Sequence, residues 1–236
     1  MCGRYTLTSQ EGLADELQLA IAEPAEASEW WRPRWNIAPT QPAPIVANRE
    51  GPRAIELARW GLLPPWAESL GAGAKMINAR AETAGDKRAF RDALRKRRCL
   101  VPADGFFEWR KDGTARKPFW IHPEPRHLIA FAGLWERWKS PEGVWVISFT
   151  IVTTTANELV APLHDRMPVV LPRAAYDRWL DPAPIEPAAL ADLLVPAPAG
   201  GWIATEVAPL VNKPDNDVPA CVEPWTAQSP PQRSLF

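Results

Sequence analysis

Cys2 follows the initiator methionine directly. Removal of that methionine would leave one residue carrying both a free α-amine and a thiol, two carbons apart, a pairing no internal cysteine offers. The bland alternative is a chance cysteine in a frayed terminus. His164 lies in TTTANELVAPLHDRMPVVLP, just past the strongest strand pattern of the chain and just before the next. A loop anchored between core strands holds a reactive group rigidly, although such a histidine can also be a satisfied structural residue. Glu108 sits in DGFFEWR among large apolar residues. Strand alternation puts Phe106 and Glu108 on one face and Phe107 and Trp109 on the other. A carboxylate beside an aromatic in that way has a raised pKa and moves protons near neutrality; an edge-strand glutamate facing water would not. Asn78 and Arg80 fall in KMINARAE. The amide orients an amine or a carbonyl through paired donor and acceptor, and the guanidinium grips a phosphate with two hydrogen bonds.

The elements that must position these residues are mostly short strands. CGRYTL reads as a first strand, and PIVANRE with RAIELARWG as a strand pair across a Gly-Pro turn. CLVPADGFFEWR, KPFWIHP, HLIAFAGLWERW, VWVISFTIVTTTA, RMPVVLP and GWIATEV continue the strand pattern. Thr8 followed by Glu11 matches a capping box ahead of a helix over EGLADELQLA. Helices are also expected from about Asp86 to just before Cys99, and over AAYDRWL and PAALADLLV. LLPPWAESLGAGAKMINARAET reads as a long functional loop. Strands seldom alternate with long helices, and no GxGxxG or P-loop occurs, which excludes a nucleotide-binding doubly wound sheet. The pattern predicts a single α+β, β-rich domain over residues 1–225 with a curled, barrel-like mixed sheet, and a loose tail over 226–236.

Composition narrows the function classes. The chain has 236 residues, 46% hydrophobic and 23% charged, which suits a folded core. No apolar run is long enough for a membrane span, and no signal peptide is evident. Cys2, Cys99 and Cys221 show no metal-ligand spacing and leave one odd under any pairing, so neither a metal nor any other cofactor is expected and a reducing compartment fits. His122 and His127 flank a proline-rich turn and read as surface residues. The net charge of -1 argues against a generally basic surface. KRAFRDALRKRRC gathers seven basic residues against Asp92, either a solvated helix face or a phosphate patch. Thirteen tryptophans exceed what packing usually asks for. Most are expected in the core, while Trp60, Trp66 and Trp109 fall near the polar candidates and could stack on unpaired bases or line a pocket.

MCGRY, WNIAPTQ, RWGLLPPW, INARAET, RCLVPADGFFEW, FAGLWE, the TTTAN and HDRMPV block, and VNKPDND together resemble the SRAP family, the SOS response-associated peptidases or abasic-site processing proteins. The resemblance runs over roughly residues 2–220 in conserved order. It implies covalent shielding of abasic sites in single-stranded DNA, with Cys2 as nucleophile, Asn78 beside it, Glu108 as acid–base and His164 assisting sugar opening. It also implies Arg4, Arg80 and Arg166 as phosphate-binding and site-organising residues, with Trp66 and Trp109 as further DNA contacts. The chemistry would be a Schiff base from the Cys2 amine, closed by the thiol to a thiazolidine, after self-removal or processing of Met1. The partner is an abasic single strand; no membrane and no obligate protein partner is implied. A cytoplasmic, nucleoid-associated monomer is expected. A cysteine peptidase acting on other proteins and a noncatalytic single-strand binder are the competing classes.

Overall fold

The computed structural model describes residues 2–9, 12–19, 32–49 and 51–225. In chain order its strands are β1 (Tyr5–Leu7), β2 (Arg34–Ile37), β3 (Pro42–Ala47), β4 (Ile55–Trp60), β5 (Asn78–Arg80), β6 (Arg98–Ala103), β7 (Gly105–Asp112), β8 (Ala115–Pro123), β9 (Ile129–Lys139), β10 (Trp145–Thr155), β11 (Arg166–Pro168), β12 (Val170–Leu171) and β13 (Trp202–Glu206). The α-helices among the described residues are short: α1 (Leu13–Leu17), α2 (Ala81–Ala84), α3 (Arg91–Lys96) and α4 (Tyr176–Leu180).

The expected curled sheet closes on itself. β10, β4, β3, β6 and β9 form a five-stranded ring, closed where β10 pairs β9. The β10–β4 step is parallel and the others are antiparallel, so the barrel is mixed. The β-branched and aromatic run of β10 makes it the hub. Its first half joins β4 and β9; its second half carries β5 in parallel and β11 antiparallel. A second sheet runs β13-β8-β7-β1-β2.

Aromatic packing joins the two sheets. Tyr5 of β1 meets Trp60 edge-on at 5.2 Å and Phe131 at 6.0 Å, and Phe106 of β7 meets Phe131 at 6.1 Å. Such pairs add to the burial of large rings. Phe107 and Trp120, on the opposite face, build a smaller cluster with Val207, Val211, Cys221 and Val222. The alternation expected for β7 is therefore what divides the two clusters. Gly105 is required by close approach: a Cβ there would overlap the Trp120 indole.

Local readings of charge and capping give way to tertiary contacts. Thr8 does not cap α1, whose N-cap is Gly12; its amide and hydroxyl both donate to the Asp104 carboxylate at 2.6 Å. The supposed loop at 62–83 contains a 3-10 turn over Leu70–Lys75, β5 and α2, so Asn78 and Arg80 stand on a strand. His122 is buried and stacks on Trp120 at 3.9 Å, contrary to its surface reading; His127 is exposed. The tail over 226–236 and Glu11 lie outside the described residues.

Three residues of the basic run at 87–98 bond to other elements of the protein. Arg95 pairs with Glu186 and Arg97 with Glu136. Arg98 is fully buried and donates to the carbonyls of Trp179, Leu94 and Arg95 at 2.7–3.0 Å and to those of Asp181 and Ala183. Its role is to satisfy acceptors where α3 and α4 meet β6. We expect Arg98→Ala to strand these carbonyls and lower unfolding stability in urea by at least about 2 kcal/mol. A loss under about 0.5 kcal/mol, within the range of ordinary surface substitutions, would contradict this role.

Candidate active site

β1 is an inner strand, paired with β2 on one edge and β7 on the other. The N-terminal residues are thereby fixed. The Arg4 carbonyl accepts the Phe107 amide at 3.0 Å and lies 3.7 Å from the Cys2 thiol. The Cys2 carbonyl accepts the Asn78 side-chain amide at 2.8 Å. Arg4 itself reaches the Asn36 side chain at 2.9 Å and the carbonyls of Val211 and Asn212 at 2.6 and 3.2 Å. Asn36 also donates to the carbonyls of Lys213 and Asn216. Asp217 accepts the amides of Trp35 and Asn36 and the Arg34 guanidinium. The VNKPDND segment thus ties β2 to the start of β1.

Around this anchor the titratable groups are displaced from their ordinary values. Burial pushes the Cys2 thiol well above its usual range, and the nearby Glu108 carboxylate adds to the rise. Burial pushes Glu108 up to about 7, helped by the charge of Asp165. Glu108 is 2% exposed, so its side chain is enclosed on the barrel side of β7. His164 is held below the usual imidazole value, first by burial. Its Nδ1 accepts the Arg166 amide at 3.0 Å when the ring is neutral. Asp165 stands 2.8 Å from the same Nδ1 and favours the imidazolium once it forms. Glu108, Trp109, His164 and Asp165 line one cleft of about 520 Å³.

β10 sets the remaining candidates. Asn78 stands opposite Ile151 and Arg80 opposite Thr153 on one edge; Arg166 stands opposite Thr155 on the other. Asn78 Oδ1 is buried without a hydrogen-bond partner among the described residues. Arg80 is exposed. Arg166 makes two parallel bonds to Glu82 at 2.7 and 2.8 Å and one to the Thr153 carbonyl at 2.6 Å. Glu82 is held below the usual carboxylate range by that pair. Trp109 donates to the Asn212 side chain at 2.7 Å. Trp66 is 45% exposed, is not among the cleft residues, and lies under the Arg88 guanidinium at 4.3 Å.

Cys2, Asn78, Glu108 and His164 therefore share one neighbourhood, assembled from β1, β5, β7 and the turn before β11. Residue types alone did not single out Glu82, Asn36 or Asp217, whose partners are far away in the chain. Arg110, Lys111 and Arg116 also line the cleft. Their signal was present in the basic hairpin RKDGTARK. Among the described residues no group of three His, Cys, Asp or Glu could hold a metal ion, and no helix is long and apolar enough to cross a membrane.

Comparison with known proteins places this geometry in a lineage. The family model for SOS response associated peptidase (SRAP) matches residues 1–214. The abasic site processing protein YoqW of Bacillus subtilis (strain 168) is 40% identical over 225 residues, covering 94% of this chain and 99% of that protein. The abasic site processing protein YedK of Escherichia coli (strain K12) is 31% identical over 188 residues, covering 76% and 79%. The abasic site processing protein HMCES of Gallus gallus is 30% identical over 226 residues, covering 82% and 67%. Among solved structures, a Bacteroides thetaiotaomicron protein superposes with a TM-score of 0.82 at 25% identity, covering 95% of this chain and all of that one. By sequence over nearly its whole length, and by fold, the chain belongs to the SOS response-associated peptidase family.

Proposed function

We propose that this chain senses abasic sites in single-stranded DNA and shields them by covalent attachment through Cys2, within one domain over residues 1–225. The names of its relatives supply the lesion. The observation that carries the reading is the setting of Cys2: its carbonyl is clamped by Asn78, and its thiol is beside a carboxyl with a pKa near neutrality.

The reaction begins once Met1 is gone and the Cys2 α-amine is free. As the abasic sugar opens, the imidazolium form of His164 gives a proton to the ring oxygen, and the imidazole takes back the proton that leaves the C1′ hydroxyl as the aldehyde forms. The amine attacks C1′. Glu108 takes the proton released from nitrogen and returns it to the departing hydroxyl, so water leaves and an imine forms. The thiol then adds to the imine carbon. Burial holds the thiol protonated, so closure needs a base, and Glu108 accepts that proton and delivers it to nitrogen. One water is lost overall and the product is a thiazolidine. The Asn78 acceptor left open holds the amine or the opened sugar. Ring closure removes the imine through which β-elimination would cut the strand.

DNA contacts are to the backbone and to neighbouring bases, since the lesion has no base edge to read. Arg80 presents an exposed guanidinium to phosphate, and Trp109 an indole face at the cleft. Arg4 and Arg166 organise Cys2 and His164 through their internal bonds and offer DNA their remaining N–H groups. Trp66 is an outlying stacking surface. Proteolysis of other proteins is the poorer reading, because it would make no use of a free α-amine on Cys2.

Intact mass tests the attachment. Protein lacking Met1, mixed with an abasic single strand, is expected to gain the mass of the strand less one water and to survive denaturation. Cys2→Ala, and protein that keeps Met1, are expected to give no such stable species. A stable adduct on either would overturn the mechanism.

The pH profile tests Glu108. Its pKa is raised, so the proton-accepting carboxylate is lost as pH falls through about 7. Adduct formation should slow below that pH in the parent. Glu108→Gln should be slower by about 10²-fold or more and keep only the dependence set by the amine. A Glu108→Gln profile matching the parent in rate and shape would remove Glu108 from the chemistry.

A further inference from the structure

The cleft that holds Glu108 and His164 continues onto the β7–β8 hairpin, where the charges are arranged against the stability of the hairpin itself. Arg110 stands directly opposite Lys117, and Lys111 directly opposite Arg116. Like charges facing each other across strands are destabilising. Residues 110–117 hold four cations against one anion, net +3, in a chain whose total is -1.

The two faces of the hairpin differ. On one, the repulsion is relieved within the protein. Lys117 pairs with Asp112 at 2.7 Å, and Arg110 lies over Phe119 at 4.8 Å and 3.8 Å from Glu206. On the other, Lys111 and Arg116 are exposed and have no ion pair among the described residues. Both line the cleft with Glu108, Trp109 and His164. Lys111 is three residues along the strand from Glu108, about 10 Å at the usual rise. Trp109 lies between them in sequence and on the face of Lys111.

We propose that Lys111 and Arg116 form a second phosphate-binding site, which takes the phosphodiester backbone of nucleotides flanking the lesion. The site rests on the reading of this chain as a binder of abasic single strands. Two facing cations with no internal anion make a clamp that a phosphate completes, and the phosphate relieves their repulsion. The distance from Glu108 assigns the clamp to a neighbouring nucleotide, while Arg80, beside Asn78, serves the lesion itself. The hairpin thus extends the footprint of the protein along the strand.

The test is the salt dependence of binding by the full chain to three strands: a long abasic strand, a long intact strand, and a three-nucleotide abasic strand. Lys111→Ala with Arg116→Ala is expected to weaken both long strands by about tenfold at low salt. It should also reduce the slope of log affinity against log salt by about 1.4, two single-strand phosphates at about 0.7 each. The deficit on the three-nucleotide strand should be much smaller, whereas Arg80→Ala should weaken long and short abasic strands alike. Lys111→Glu puts a carboxylate opposite Arg116. It should raise the Tm of the DNA-free protein while weakening the long strands, a combination that a purely structural role would not produce. Unchanged affinity and slope on the long strands, with a parent that binds them and forms the adduct, would overturn the clamp alone. A deficit equal on long and short strands would overturn its assignment to flanking nucleotides. A parent that binds no strand would overturn both readings.

Discussion

The placement of the N-terminal strand between two others is the constraint on which the site depends. Chain ends ordinarily fray, and fixing each residue costs about 1–2 kcal/mol of backbone entropy. Here β1 is paired on both edges, and Tyr5 carries it into the barrel core against Trp60 and Phe131. The Arg4–Asn36 network and the Asp217 carboxylate hold the neighbouring strand and the 211–217 segment to the same point. A residue that would otherwise sample many positions is held at one. Asn78 and Glu108 can then be aimed at it from strands on two different sheets.

The same enclosure sets the protonation states. Burial raises both Cys2 and Glu108, and each negative charge would further disfavour the other. The resting pair is a neutral thiol beside a carboxyl that exchanges protons near pH 7. His164, lowered by burial, meets both the Arg166 amide and the Asp165 carboxylate at Nδ1. An acid, a base and a masked nucleophile thus coexist without a metal ligand set among the described residues. The Arg166–Glu82 pair fixes the strand after His164 and so the orientation of the imidazole.

Much of this was legible in the sequence where the signal is local. The period-2 pattern of FFEW placed Glu108 on the face of Phe106, and the β-branched run at 145–155 marked the hub strand. Cys2 stood out by position alone. What was hidden depended on partners far away in the chain. Nothing local shows that β10 pairs β4 in parallel and β9 antiparallel to close a ring. Thr8 looked like a helix cap because its nearest carboxylate in sequence is Glu11, yet its partner is Asp104. Arg98 sat in a run that read as solvated or phosphate-binding, and only tertiary structure supplies the carbonyls of Trp179, Asp181 and Ala183 that complete its partners. His122 was masked by the prolines around it, although it stacks on Trp120, two residues earlier in the same strand.

The most direct test of the central claim is the bonding at C1′ of the lesion in the finished adduct. An abasic strand labelled isotopically at that carbon, attached to protein lacking Met1, can be read by carbon NMR under native conditions. A thiazolidine shows a saturated carbon bonded to both nitrogen and sulfur of Cys2, inert to borohydride, and this is the expected result. An imine carbon that borohydride reduces in the fully formed adduct would contradict it, because the thiol would then have taken no part in the bond.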